Sequence, residues 1–231
     1  MTAMYTRPNP FPPVIKNLII INGLIFMAQM LLQDKFPVNE TFALHDFRSH
    51  YFKPWQILTH MFMHGGFEHL IFNMFSLWFF GSKLENVWGG RRFLTFYLIC
   101  GYGAALLYMG VRYVELTPYF DMLKTLPFEQ QMEIIYQPNN MLNVPMLGAS
   151  GAIFGLLAAY GYLFPNTVIY MNFFFPLKAK WYVLITAFIE IRMGIINAPG
   201  DSVAHFAHIG GALAGIILVL IWNKTNRKTF Y

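Results

Sequence analysis

Long apolar runs, separated by shorter polar stretches, set the pattern of this chain. Residues 15–33 read "IKNLIIINGLIFMAQMLLQ", close to the ~20 apolar residues that a helix needs to span a bilayer. Comparable runs follow at 67–82, 92–111, 147–164, 181–198 and 202–222. The pattern predicts an all-α, polytopic membrane protein of six transmembrane helices. No small-residue cleavage site follows the first run, so it is expected to be a retained anchor. The fourth and sixth runs are rich in Gly and Ala, which suits close packing in the bundle interior, with the first and fifth at the periphery.

Two connections are long, 34–66 and 112–146, and long connections in compact bundles are often functional. The first is rich in aromatics and histidines ("HDFRSHYFKPWQILTHMFMHGG"); Tyr51, Phe52 and Trp55 suit the membrane interface. In the second, Thr117-Pro118 and Pro127 before "FEQQMEIIY" read as two helix starts. With no repeat and no polar linker, residues 1–231 read as a single domain. The Phe-rich run 172–175 reads as an interfacial turn.

Composition supports the membrane assignment. Of 231 residues, 56% are hydrophobic and 12% charged, against about 25% charged in soluble domains. The net charge of +5 does not point to nucleic acid; the basic residues lie between apolar runs and at the ends, as the positive-inside rule produces. Lys16, Lys83, Arg91, Arg92, Lys178, Lys180 and Lys224 fall on one side of a six-helix arrangement, together with both termini. That side is assigned to the cytoplasm, and a bacterial inner membrane is the expected location. The loops 34–66 and 112–146 then lie outside. Cys100, the single cysteine, forms no internal disulfide.

Polar residues inside apolar helices are costly and face the bundle interior. His69 and Asn73 are four apart on one face of the second helix, Ser150 opens the fourth, and His208 lies near the start of the sixth. Under the assigned orientation all four share the outer third of the membrane. Ser150 alone reads more readily as a packing residue than as a nucleophile. Set at the depth of a histidine, it reads as a nucleophile with its general base. Gly151 and Gly155, and Gly211 and Gly215, are small-xxx-small pairs that let the two helices approach. No carboxylate is evident at this depth. Asp201 is seven residues from His208, and Glu190 and Arg192, two apart on the fifth helix, do not suggest a catalytic pair. A Ser–His dyad is therefore expected, with His69, Asn73 and the Ser150 N–H as oxyanion donors. His60, His64 and His205 read as structural hydrogen-bonders.

The stretches "HMFMHGGFEHLIFN" (60–73), "GSKLENVWGGRRF" (81–93), "GASG" (148–151) and "AHIGG" (207–211) resemble the rhomboid intramembrane serine proteases, in consistent order across 54–222. The resemblance implies a six-helix bundle with Ser150 as nucleophile at the base of a wet cavity. It implies His208 as base and then acid, His69 and Asn73 as the oxyanion pair, and Phe154 as an aromatic packed on the histidine. It implies membrane-protein substrates in a lipid bilayer and no cofactor. Gln56 departs from the Trp-Arg pair common in the family's first outer loop. The rivals are an inactive relative that binds membrane segments, a transporter, and a metalloenzyme using His60/His64 or His205/His208. No H-E-x-x-H motif supports the last, and the first would be expected to lack the Ser or the His.

Overall fold

A computed structural model describes residues 8–171, 174–196 and 204–225. In chain order the elements are α1 (Pro13–Leu32), α2 (Val38–Phe42), α3 (Gln56–Thr59), α4 (Phe67–Trp88), α5 (Gly90–Lys124), α6 (Phe128–Ile135), α7 (Ser150–Leu163), strands β1 (Val168–Met171) and β2 (Phe175–Lys178), α8 (Ala179–Ile196) and α9 (His205–Thr225). Among the described residues, α1, α5 and the His205–Lys224 stretch of α9 are long and apolar enough to cross a membrane, and α7 is a shorter apolar helix.

Helix α7 is the axis of the bundle: eleven of its 14 residues are buried. It packs on α5 and α9 through small residues. Gly155 faces Cys100 of α5 and the Gly211 carbonyl of α9, and Gly103 of α5 faces Ala214 of α9. The α7 and α9 backbones meet directly, Gly211 against the Gly151 carbonyl and Gly215 against that of Gly155, while α5 fits in through small side chains, as small-residue packing in membranes allows. Helix α1 lies outside, with Ile15, Leu18, Asn22, Phe26 and Gln29 forming its one buried stripe. Its first N–H groups have no partner within the helix. The Glu85 carboxylate of α4 accepts from two of them, Val14 N–H (2.9 Å) and Ile15 N–H (2.8 Å).

Three expectations are corrected. The second helix does not end at residue 82 but continues to Trp88 and stops at Gly89, whose φ of +76° suits glycine. The third continues through Thr117-Pro118 to Lys124. Pro118 starts no new helix: it lies inside α5 at an exposed position; the second expected start, at Pro127, is that of α6. The all-α assignment also misses β1 and β2, which pair antiparallel from Val168↔Lys178 to Met171↔Phe175. β-Branched and aromatic residues there favour extended backbone.

The 34–66 segment is held in place by backbone and side-chain bonds. Leu44 and Met146 exchange backbone hydrogen bonds of 2.8 and 2.7 Å. Buried Arg48 makes a bidentate pair with Asp46 (2.8 and 2.9 Å), and Arg48 also donates to the Arg112 carbonyl and Thr117 of α5. Ser49 donates to Asn143 at 2.7 Å. The C-terminal part of α5 forms, with α6 and the segment after it, a small core of Leu116, Leu123 and Leu142. The 112–146 segment therefore buttresses the 34–66 segment.

Candidate active site

Ser150 is the first residue of α7. The chain reaches it through Gly148, whose N–H donates to the His60 carbonyl at 2.9 Å and whose φ is +124°. A β-carbon at this position would stand 2.9 Å from the His69 ring and 3.6 Å from Ser150 Oγ. Glycine is required twice over, by its backbone angle and by the space it leaves between imidazole and hydroxyl.

Two further helices, α9 and α4, bring groups to Ser150. His208 of α9 brings Nε2 to 2.7 Å from Ser150 Oγ. Phe154, four residues after Ser150 and on the same face of α7, stacks on the His208 ring with centroids 4.2 Å apart and planes at 6°. On α4, His69 Nδ1 accepts from Gly65 N–H at 3.2 Å, and the hydrogen-bond network thereby assigns the ring proton to Nε2, the nitrogen nearest Gly148. Asn73 is 6% exposed and its Nδ2 has no partner, an unusual state for a buried donor. Ser150, His208, His69, Asn73, Gly148 and His60 line one cavity of about 570 Å³. The four residues picked out from three distant segments are thus brought together, and Phe154 with them.

The expected absence of a carboxylate does not hold. Glu190 of α8 places Oε2 2.9 Å from His208 Nδ1 and 2.7 Å from His205 Nδ1. A carboxylate facing Nδ1 assigns the proton to that nitrogen and leaves Nε2 to accept from the Ser150 hydroxyl. The sequence signal was present, as an ionisable residue inside an apolar helix; its partner, 18 residues away on the next helix, was not readable. Asp201 lies outside the described residues. Gln56 also has a role. Fully buried, its amide accepts from His45 N–H and Lys53 N–H and donates to the carbonyls of Glu40, Thr41 and Tyr51. A neutral amide can do both, where an arginine could only donate.

The donor atoms of Glu190, His205 and His208 lie within 4.8 Å of one another, the one such group among the described residues that could take a metal ion. Its short Glu–His hydrogen bonds satisfy these atoms as they stand. His60 and His64 are not part of it.

The match to a family model decides the assignment: residues 51–224 match the rhomboid domain. The chain belongs to the rhomboid family. It is 30% identical over 165 residues to RHOMBOID-like protein 4 of Arabidopsis thaliana, covering 71% of this chain and 33% of that protein. Against RHOMBOID-like protein 12, mitochondrial, of the same plant it is 26% identical over 221 residues, 94% of this chain and 60% of the relative. Against rhomboid protease AarA of Providencia stuartii it is 27% identical over 170 residues, 73% of this chain and 56% of the relative. The chain spans between a third and 60% of the length of these rhomboid relatives. Since mitochondrial and bacterial rhomboids both match, the similarity does not single out the bacterial inner membrane expected above.

Proposed function

We propose that this rhomboid protein is an intramembrane serine endopeptidase that cleaves transmembrane segments of membrane-protein substrates near the outer face. The observation that carries the reading is the 2.7 Å approach of His208 Nε2 to Ser150 Oγ within a cavity large enough to admit water and a peptide strand. Ser150 Oγ attacks a substrate carbonyl while His208 takes its proton. The oxyanion meets the Asn73 amide, the His69 Nε2–H and the Ser150 N–H, which has no acceptor within α7. The imidazolium then protonates the leaving amine, and water from the cavity hydrolyses the acyl-enzyme.

In this reading the chain crosses the bilayer six times, by α1, α4, α5, α7, α8 and α9. Lys83, Arg91, Arg92, Lys178, Lys180 and Lys224 lie at the positive-inside end. The substrate helix enters beside α8 and unwinds locally, because a helical backbone keeps its carbonyls bonded and out of reach.

The test is labelling of the purified protein by a fluorophosphonate. Modification of Ser150, blocked in Ser150→Ala and in His208→Ala, is the expected result. A protein that cleaves a model transmembrane substrate with Ser150 unlabelled and activity lost to a chelator would overturn the reading.

A further inference from the structure

We propose that Glu190 is the positioning residue of the catalytic histidine, holding His208 by its Nδ1–H so that Nε2 faces the Ser150 hydroxyl. This rests on the serine-protease reading above. Ser150 Oγ, His208 Nε2, His208 Nδ1 and Glu190 Oε2 form one continuous hydrogen-bonded line, with 2.7 Å at one end of the ring and 2.9 Å at the other.

The placement of the carboxylate supports this role. Leu184, Ile185, Phe188, Ile189 and Ile191 of α8 are all exposed, as on a lipid-facing helix, and Ala179 is its one buried residue among those described. An ionisable group in such a helix is expensive unless it is partnered. Glu190 reaches across to α9 and keeps only 14% of its side chain exposed. The ring of His208 has two ways to move out of line. Stacking on Phe154 prevents tilting of its plane but still allows rotation within that plane; the Glu190 bond removes that remaining freedom. The surroundings hold no second carboxylate among the described residues: His208 faces Ser150 from α7, Glu190 from α8, His69 across the cavity from α4, and His205 of its own helix, which shares Glu190 Oε2.

The proton inventory is simple. Ser150 Oγ forms the bond to the substrate carbonyl carbon and its proton passes to His208 Nε2. The imidazolium keeps its Nδ1–H, bonded to a carboxylate that stays ionised. On collapse the C–N bond breaks and Nε2 returns a proton to the amine. Because Glu190 sits on α8, outward displacement of that helix would also release the histidine, so the state of the base is tied to the position of α8.

The experiment compares the wild-type chain with Glu190→Gln in detergent and in liposomes, on a model transmembrane substrate. We expect kcat to fall by about 10- to 1,000-fold with KM little changed. The acidic limb of the pH profile should move down by about one pH unit, because the imidazolium loses its counter-charge. An unchanged limb with unchanged kcat would overturn the proposal, as would lowered thermal stability with an unchanged limb, which marks a purely structural fastening. If Glu190→Gln does not accumulate folded, Glu190→Asp is read by kcat, since it keeps the charge but withdraws it by one methylene: a fall with KM unchanged supports the proposal, and wild-type kcat overturns it. Loss of the protease reading itself shows separately, as a Ser150→Ala variant that still cleaves.

Discussion

Gly211 of α9 rests against the backbone carbonyl of Gly151 of α7, so closely that a β-carbon at 211 would fall on that oxygen. Each glycine is a near neighbour of a reacting group: Ser150 precedes one, and His208 lies three residues before the other. The contact between these backbones therefore sets the distance between hydroxyl and imidazole. Gly211→Ala should push α9 away from α7 by enough to misalign the pair. A displacement near 1 Å costs about 100-fold in rate, and overpacking of this kind costs about 1–3 kcal/mol. Cleavage assays and thermal unfolding of the same preparation check both; wild-type kcat would show that the contact does not govern the site.

Ser150→Ala and His208→Ala should each reduce cleavage to background with expression unchanged. Groups that act as one unit are not additive, so the double variant should be no slower than either single one. Addition of EDTA should leave the wild-type rate unchanged, because Glu190, His205 and His208 satisfy one another by hydrogen bonds. The readout is turnover of a fluorogenic transmembrane substrate.

Asn73 has a buried amide N–H group with no acceptor in the cavity wall. Its partner is expected to be the oxyanion, which exists only along the reaction path. Asn73→Ala should lower kcat by about 10²–10³-fold and leave KM nearly unchanged. A rise in KM at constant kcat would reassign Asn73 to substrate binding.

Burial holds His60, and burial and then the neighbouring His69 hold His64, down at about 4. Both rings sit in the 34–66 segment between α1 and α4, and both are 2% exposed. In the unfolded chain each would bind a proton near pH 6.5, so between about 6.5 and 4 the unfolded state carries more protons. Stability from these two groups is therefore complete above about 6.5 and is lost as the pH falls towards 4, by up to about 1.4 kcal/mol per pH unit for each. Melting temperatures from pH 8 to 4.5 should fall below pH 6.5, and His64→Phe should flatten the slope.

Arg48 neutralises Asp46, which is 2% exposed, and ties the 34–66 segment to α5. Arg48→Ala leaves that carboxylate buried and unpaired and should destabilise the protein by about 3 kcal/mol or more. Arg48→Lys should recover only part, since it cannot make the bidentate pair. Denaturation midpoints in detergent test both.

Much of this could be read along the chain. Apolar run length located the helices to within a few residues where polar stops agree with the helix ends, as at α1. It failed where a helix leaves the apolar zone and goes on: α5 continues beyond residue 111, where Leu116 and Leu123 pack with Leu142 in a small core of their own, and hydropathy does not report that packing. Ser150, His208, His69 and Asn73 were recognisable because a polar group in an apolar helix is anomalous by its local surroundings alone. Gly151 and Gly211 were recognisable as spacing.

The sequence by itself determined the helical, membrane-embedded class and the residue types able to react, because those follow from the local pattern of apolar and polar positions. Only the tertiary structure decided which of them meet. The Glu190 carboxylate pairs with His208 because α8 packs beside α9, and Gln56 serves its loop because the segment folds round it. Such pairings depend on distances in space between residues far apart in the chain, and no local pattern encodes a distance.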